Sequence, residues 1–221
     1  RHGALAGVQL WYGGRGAANL YTREIPFDCA SLPINLGYDP VQSLAMDKKH
    51  IRQLRRWQVA AARRAVRAGF DIIYVYATHD YLLSAFLSPE LNHRRDEYGG
   101  PLANRVRLIR EMIEETKAAV GHQCAVAVRF AADGSGSGEG LIDNAEQREM
   151  LEMLAELPDL WDINITDYAK EMGSSRYEKE APLEDYVSFV KQITTKPVVG
   201  VGRFTSPETM LRQVKQGILD L

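Results

Sequence analysis

Five short apolar runs alternate with amphipathic stretches along this chain, and that alternation restricts the fold more than any other feature. The runs are Leu5–Trp11, Phe70–Tyr76, Cys124–Phe130, Trp161–Ile165 and Pro197–Val201. The stretches between and after them have helical spacing over about Asp47–Ala68, Leu102–Val120, Ala145–Leu157, Leu183–Ile193 and Pro207–Gln216. Strand-then-helix repetition with branched apolar strands predicts a parallel sheet covered by helices. The helix limits carry their own signals. Asp47 precedes the first helix and Gly69 follows it, while Ser206-Pro207-Glu208 sets a cap, a proline and an acid at the start of the last.

Residue parity separates an open sheet from a closed one. One face reads Val8, Leu10, Ile73, Val75, Val126, Val128, Ile163, Ile165, Val199 and Val201, branched and apolar throughout. The other reads Gln9, Trp11, Tyr74, Tyr76, Ala127, Arg129, Asp162, Asn164, Thr166, Gly200 and Gly202. An open sheet covered on both sides is apolar on both faces. A face that turns polar and aromatic toward the strand ends fits a (β/α)8 barrel with a site at its mouth. Five units are too few for that barrel. The start at Arg1 without a methionine, and the apolar stop at Ile218–Leu221, predict a segment of a longer protein.

Composition bounds the function. The 221 residues are 45% hydrophobic and 25% charged with net charge −2, which is ordinary for one globular domain. Nothing electrostatic favours nucleic acid, and no apolar run reaches the roughly 18 residues of a membrane span. Without a signal-peptide pattern, and with only Cys29 and Cys124, a reduced cytoplasmic setting and no metal site are expected. Cys124 reads as a small buried hydrophobe, whereas the loop position of Cys29 leaves its role open. Arg63, Arg64 and Arg67 read as the solvated side of a packed helix. The long Gly13–Asp47 connection is expected to be functional or mobile. Asp133–Gly140 reads as a flexible loop and not a phosphate loop, because no lysine or helix follows at once.

The polar strand ends suggest chemistry. Gln9 offers a donor and an acceptor suited to the pyrimidine edge of a flavin, or to a neighbouring loop. Arg129 ends an apolar strand and needs an anionic partner, either a reduced flavin or a carboxylate such as Asp162. Gly200-Val201-Gly202-Arg203 leads into a capped helix, a credible phosphate site with Gly202 and Arg203 as contacts. Tyr76, His79 and Tyr81 cluster at one strand end, with His79 the natural proton handler. Packing is the alternative for that trio. Tyr168, Lys170 and Glu171 follow the fourth of the five strands and could reach the same mouth to touch substrate. Trp11 and Trp161 read as packing residues.

Several of these segments resemble the old yellow enzyme family of FMN-binding barrels. The block Arg94-Arg95-Asp96-Glu97-Tyr98-Gly99-Gly100-Pro101-Leu102-Ala103-Asn104-Arg105-Val106-Arg107 is the most diagnostic. Gly7–Trp11 is similar to the family's third strand, Val126–Phe130 to the strand whose arginine lies by the flavin, and Val199–Arg203 to its phosphate turn. The resemblance implies strands three to seven of a TIM barrel over residues 1–221, with FMN touching Gln9, Arg129, Gly202 and Arg203. Tyr76 and His79 stand where the family's enoate reductases carry a histidine and an asparagine or histidine. That substitution resembles the amine-oxidising branch of trimethylamine, dimethylamine and histamine dehydrogenases and N-methylproline demethylases. Tyr81 matches the family's proton-donating tyrosine.

The branch implies oxidation of a secondary or tertiary amine by hydride transfer to flavin. It also implies a four-iron cluster and a nucleotide-binding domain outside these residues, and an electron acceptor the sequence does not identify. Members of the branch complete a tyrosine–histidine–aspartate set after the sixth barrel strand and add a tryptophan cage. Here Asp167–Arg176 lacks both and offers Lys170 and Glu171. A lysine there would suit an amine bearing a carboxylate, such as an N-methylated amino acid. The competing expectations are an NAD(P)H-dependent ene or dienoyl reductase on the same fold, or an inactive structural segment. A homo-oligomer is compatible with either enzyme.

Overall fold

The computed structural model describes residues 3–17, 24–33, 42–134, 144–168, 171 and 179–221. Five strands form one sheet: β1 (Gly7–Leu10), β4 (Ile72–Ala77), β5 (Ala125–Ala131), β6 (Leu160–Asn164) and β7 (Val198–Gly200). They lie side by side in chain order and every pairing is parallel. A small second sheet pairs β2 (Phe27–Asp28) with β3 (Leu44–Ala45) inside the long connection after β1. Part of that connection, residues 18–23 and 34–41, lies outside the described residues, as do residues 135–143 of the glycine-rich loop.

The helices are α1 (Lys48–Arg67), α2 (Leu82–Leu87), α3 (Leu102–Arg105), α4 (Arg107–Val120), α5 (Ala145–Leu154), α6 (Glu184–Val187) and α7 (Pro207–Lys215). The Asp47 side chain accepts from the backbone N–H of Lys49 and His50, and the His50 ring accepts from the Asp47 N–H, closing a reciprocal cap. Ile51, Leu54, Ala62 and Ala65 of α1 and Leu108, Ile109, Met112 and Ile113 of α4 are buried in one core with Ile73, Val75, Val126, Val128, Phe130, Trp161 and Ile163 of the sheet. Arg52, Arg56, Arg63, Arg64 and Arg67 are exposed, as expected for the solvated side of α1.

The helix expected over Leu102–Val120 is divided at Val106 into α3 and α4, two further expectations change, and one helix, α2, has no sequence signal. Leu183–Ile193 is not one helix. It is α6 followed by a 3-10 turn at Val190–Gln192, and Val187 and Val190, three apart, are both buried. The wholly buried α2 has no polar face and therefore no amphipathic period to reveal it. Finally, the face assignment is reversed at β7. Val199 pairs with Asp162 and Gly200 with Ile163, so Val199 shares the inner face and Gly200 the helix-facing one. Register between strands, which alternation within a strand does not specify, decides this.

Gly200 is needed for space. A Cβ there would collide with the Leu219 side chain, which is buried in the core beside β7. Gly200→Ala is expected to cost about 1–3 kcal/mol by overpacking, measured as a shift in denaturant midpoint at unchanged slope.

The diagnostic block proves to be a structural clasp. Arg94 pairs with Asp96 (2.5 Å) and donates to the carbonyls of Cys29 (3.1 Å) and Met46 (2.6 Å). Arg105 donates to Leu87 O and Gly100 O, both at 2.8 Å, and pairs with Glu146. Asn92 bridges the carbonyls of Phe86 (2.6 Å) and Tyr98 (2.7 Å). These bonds satisfy backbone acceptors in a loop that has few of its own. Cys29 is buried with its thiol donating to Leu91 O at 3.4 Å, and burial, then the Asp28 charge, push its pKa well up. Cys124 is also buried, in keeping with its expected packing role.

Candidate active site

The site is assembled at the C-terminal ends of β4, β5 and β6. Register places Gln9 level with Tyr74, Tyr76 level with Arg129, and Arg129 level with Asp162. The inner-face parity read from the sequence therefore holds across these four strands. After β4 the chain turns sharply, with His79 (φ 58°) and Asp80 (φ 54°) both in the left-handed region. Two consecutive non-glycine residues there are strained and are held by their surroundings. The turn brings the His79 ring back over its own strand.

His79 is contacted at both nitrogens. The Tyr76 hydroxyl lies 2.6 Å from Nδ1, and Glu171 Oε2 lies 2.8 Å from Nε2. Asn164 Nδ2 is 3.0 Å from Glu171 Oε2 and also 3.0 Å from His79 Nε2. Thr78 donates to Asn164 Oδ1 at 2.9 Å, which fixes the amide with its nitrogen toward Glu171. An ionised Glu171 only accepts, so His79 carries its proton on Nε2. Nδ1 is then a lone pair accepting from Tyr76.

Arg129 stands beside this chain. Its Nη1 donates to Asp162 (3.1 Å) and its Nη2 to Glu171 Oε1 (3.0 Å). Side-chain exposure is 16% for Arg129, 7% for Asp162 and 14% for Glu171. Both partners weighed for Arg129, a carboxylate and a further anion, remain compatible. The carboxylates are in place, yet Arg129 Nε and Asp162 Oδ1 are buried with no hydrogen-bond partner. Burial raises the Asp162 carboxyl above its ordinary range against the pull of Arg129. Burial also works to raise Glu171, but the His79 hydrogen bond, the charge of Arg129 and the Asn164 hydrogen bond hold it below the usual value. Burial pushes Tyr76 up to about 12.

Aromatic rings continue the wall. Trp11 is 51% exposed, with its ring centroid 4.5 Å from Tyr81 and 6.3 Å from Tyr76. Tyr168, 58% exposed, meets His79 edge-on at 5.1 Å. Trp161, in contrast, is fully buried and donates to Ala155 O at 2.9 Å, a packing role as expected. Lys170 lies outside the described residues.

The turn expected to hold a phosphate carries a neighbour with no signal in the sequence. Gly202 has φ +126°, a conformation that favours glycine. Ser206 caps α7 as expected. However, Glu180 lies over that helix start and accepts from Thr205 N (2.5 Å), Ser206 Oγ (2.8 Å) and Thr209 Oγ1 (2.6 Å). These hydroxyl bonds lower its pKa to about 2. A side-chain carboxylate thus sits at the helix start, bonded to its hydroxyls and to the Thr205 N–H, while Ser206 Oγ caps the helix.

The residues suit a flavin. A buried guanidinium N–H without an acceptor costs about 1–3 kcal/mol. The carbonyl and ring-nitrogen acceptors of a flavin pyrimidine would satisfy Arg129 Nε, with the exposed Gln9 on the same face. The parallel sheet, its mouth of polar strand ends and this fit are those of a flavin-binding α/β barrel.

Residues 1–221 match the NADH:flavin oxidoreductase / NADH oxidase family over their whole length, and the chain belongs to that family. It superposes over 100% of its length on histamine dehydrogenase from Rhizobium sp. 4-9, with TM-score 0.93 and 48% identity, covering 32% of that chain. The amine oxidase acting on 6-hydroxypseudooxynicotine from Pseudomonas geniculata N1 gives TM-score 0.93 and 46% identity, with 33% of that chain covered. Dimethylamine dehydrogenase of Hyphomicrobium sp. is 36% identical over 100% of this chain and 31% of its own length. The chain therefore spans about a third of each of these relatives. It is an α/β segment of a TIM barrel of the old yellow enzyme type.

The sequence reading brought Tyr76, His79, Arg129 and Glu171 to one mouth but did not link them. It missed Asn164 and Thr78 as supports and read Glu171 only as a substrate contact. The signal for Asn164 was present, as a polar residue of inner parity at the end of β6.

Proposed function

We propose that the protein containing this chain is an FMN-dependent enzyme that oxidises a secondary or tertiary amine. The observation that carries this reading is the hydrogen-bonded chain Tyr76–His79–Glu171 beside Arg129. Amine oxidation needs the substrate nitrogen neutral, because a protonated nitrogen has no lone pair to stabilise a cation on the adjacent carbon. Tyr76 would accept the ammonium proton as its own passes to His79 Nδ1, with Glu171 stabilising the imidazolium that forms. FMN, when bound, supplies the two-electron acceptor for the C–H bond next to that nitrogen. Gln9, Arg129, Gly202 and Arg203 would hold it. Trp11, Tyr81 and Tyr168 offer aromatic faces to a cationic substrate.

The histamine, dimethylamine and 6-hydroxypseudooxynicotine amine chemistry of the relatives supports the amine class. Within that class the finer reading is an N-methylated amino acid, with Lys170 meeting its carboxylate. The four-iron cluster implied by the branch would lie elsewhere. Among the described residues no cluster of three or more His, Cys, Asp or Glu is placed to hold a metal. No described helix is long and apolar enough to cross a membrane.

Anaerobic mixing of the FMN-loaded full-length protein with dimethylamine, histamine, N-methylproline and NADPH tests the reading. Bleaching of the flavin by an amine and not by NADPH is expected. Bleaching by NADPH alone would make it an ene reductase instead. Lys170→Ala is expected to weaken N-methylproline at least about tenfold more than dimethylamine, the cost of one charged contact. Equal losses would remove the amino-acid reading and leave the amine class standing.

A further inference from the structure

We propose that Glu171 is a positioning residue that couples the proton held at Tyr76–His79 to the charge facing Arg129, so that the site takes up a proton as negative charge builds beside the guanidinium. The proposal rests on the reading that FMN lies against Arg129. Its core is one carboxylate with a separate oxygen for each partner. Oε1 accepts from Arg129 Nη2 at 3.0 Å and Oε2 from His79 at 2.8 Å.

The charges explain the direction. Arg129 is one cation shared by two carboxylates, Asp162 and Glu171, and its Nε is left for a third acceptor. More negative charge at Nε draws on the same guanidinium, so Glu171 is less neutralised. A less neutralised Glu171 holds an imidazolium more strongly across the 2.8 Å contact. Among the described residues, the titratable and charged groups around His79 are Tyr76 of β4, Arg129 of β5, Asp162 of β6, Asp80 in the same turn, and Tyr168 and Glu171 beyond β6. Tyr81 meets Tyr76 at 5.7 Å. Asp162 is the competing proton acceptor, since burial favours its neutral form. Glu171 differs from it in touching both the base and the arginine. The ammonium proton released in amine oxidation would thus be retained where it neutralises the charge the cofactor gains.

Spectroelectrochemical titration of the full-length FMN-loaded protein between about pH 5 and 8, the range in which a histidine changes charge, reads this directly. Glu171→Gln is expected to take up about one proton fewer per flavin reduced than the parent, while Glu171→Asp retains the uptake and FMN affinity changes less than about threefold in both. Unchanged uptake in Glu171→Gln overturns the proposal. So does loss of uptake in Asp162→Asn with none in Glu171→Gln. A second arm needs no cofactor, so its failure is separable from failure of the FMN reading. In FMN-free protein, Arg129→Gln is expected to raise the ratio of protonated to neutral His79, read from ring 15N shifts, by about tenfold. That rise should be absent in Arg129→Gln/Glu171→Gln, and its persistence there would show that Glu171 does not carry the coupling.

Discussion

Tyr76→Phe is expected to slow flavin reduction by amine about a hundred- to ten-thousand-fold, the usual worth of a positioned acid–base group. FMN should still bind. The change removes one oxygen, the atom 2.6 Å from His79 Nδ1, and leaves the ring packed against Trp11 and Tyr81. Stability should therefore move little, and the loss should appear in the reductive half-reaction measured by anaerobic stopped flow. The loss should also shrink as pH rises, because more substrate arrives already neutral and needs no base. A pH-independent loss, or one below about threefold, would assign Tyr76 to packing and remove proton handling from this site.

Arg129→Met should have the largest structural effect. Asp162 and Glu171 share this cation in a setting where all three side chains are at least four-fifths shielded. Removing one member of such a group strands the others and costs about 3–5 kcal/mol. Asp162 is stranded most, because Glu171 keeps His79 and Asn164. Without the guanidinium the Asp162 carboxyl, already raised by burial, rises further. A group whose pKa is higher folded than unfolded favours the fold below that value and opposes it above. The deficit of Arg129→Met should therefore narrow as pH falls. Arg129→Met/Asp162→Asn should recover part of it at neutral pH, while the yellow colour of bound flavin stays lost in both. Chemical denaturation at several pH values gives the first result and absorbance the second. A single variant as stable as the parent would show that the ion cluster contributes nothing to the fold.

Local rules made much of this molecule legible. Alternation set the strands and, for β1, β4, β5 and β6, which residues face inward. Caps at Asp47 and Ser206 set two helix starts. Failures arose where long-range geometry decides. The facing of Gly200 depends on register with Ile163, and α2 has no polar face to mark it. The block that carries the family resemblance contributes a loop clasp and no site side chain. Most telling is Glu171. From the sequence it is one loop acid beside a lysine. It reaches a histidine 92 positions earlier, a pairing that depends on strand order.

The carboxylate of Glu180 at the start of α7 has a consequence for how an incoming anion is received. The hydroxyls and N–H that would ordinarily greet a phosphate there are already committed to a tethered acid. If the Gly202–Arg203 turn holds the cofactor phosphate, as proposed, it would do so against a fixed negative neighbour at that helix end. Salt screens that repulsion as well as the attraction of Arg203. Cofactor retention should accordingly be less sensitive to ionic strength than a bare arginine-and-helix cradle would make it.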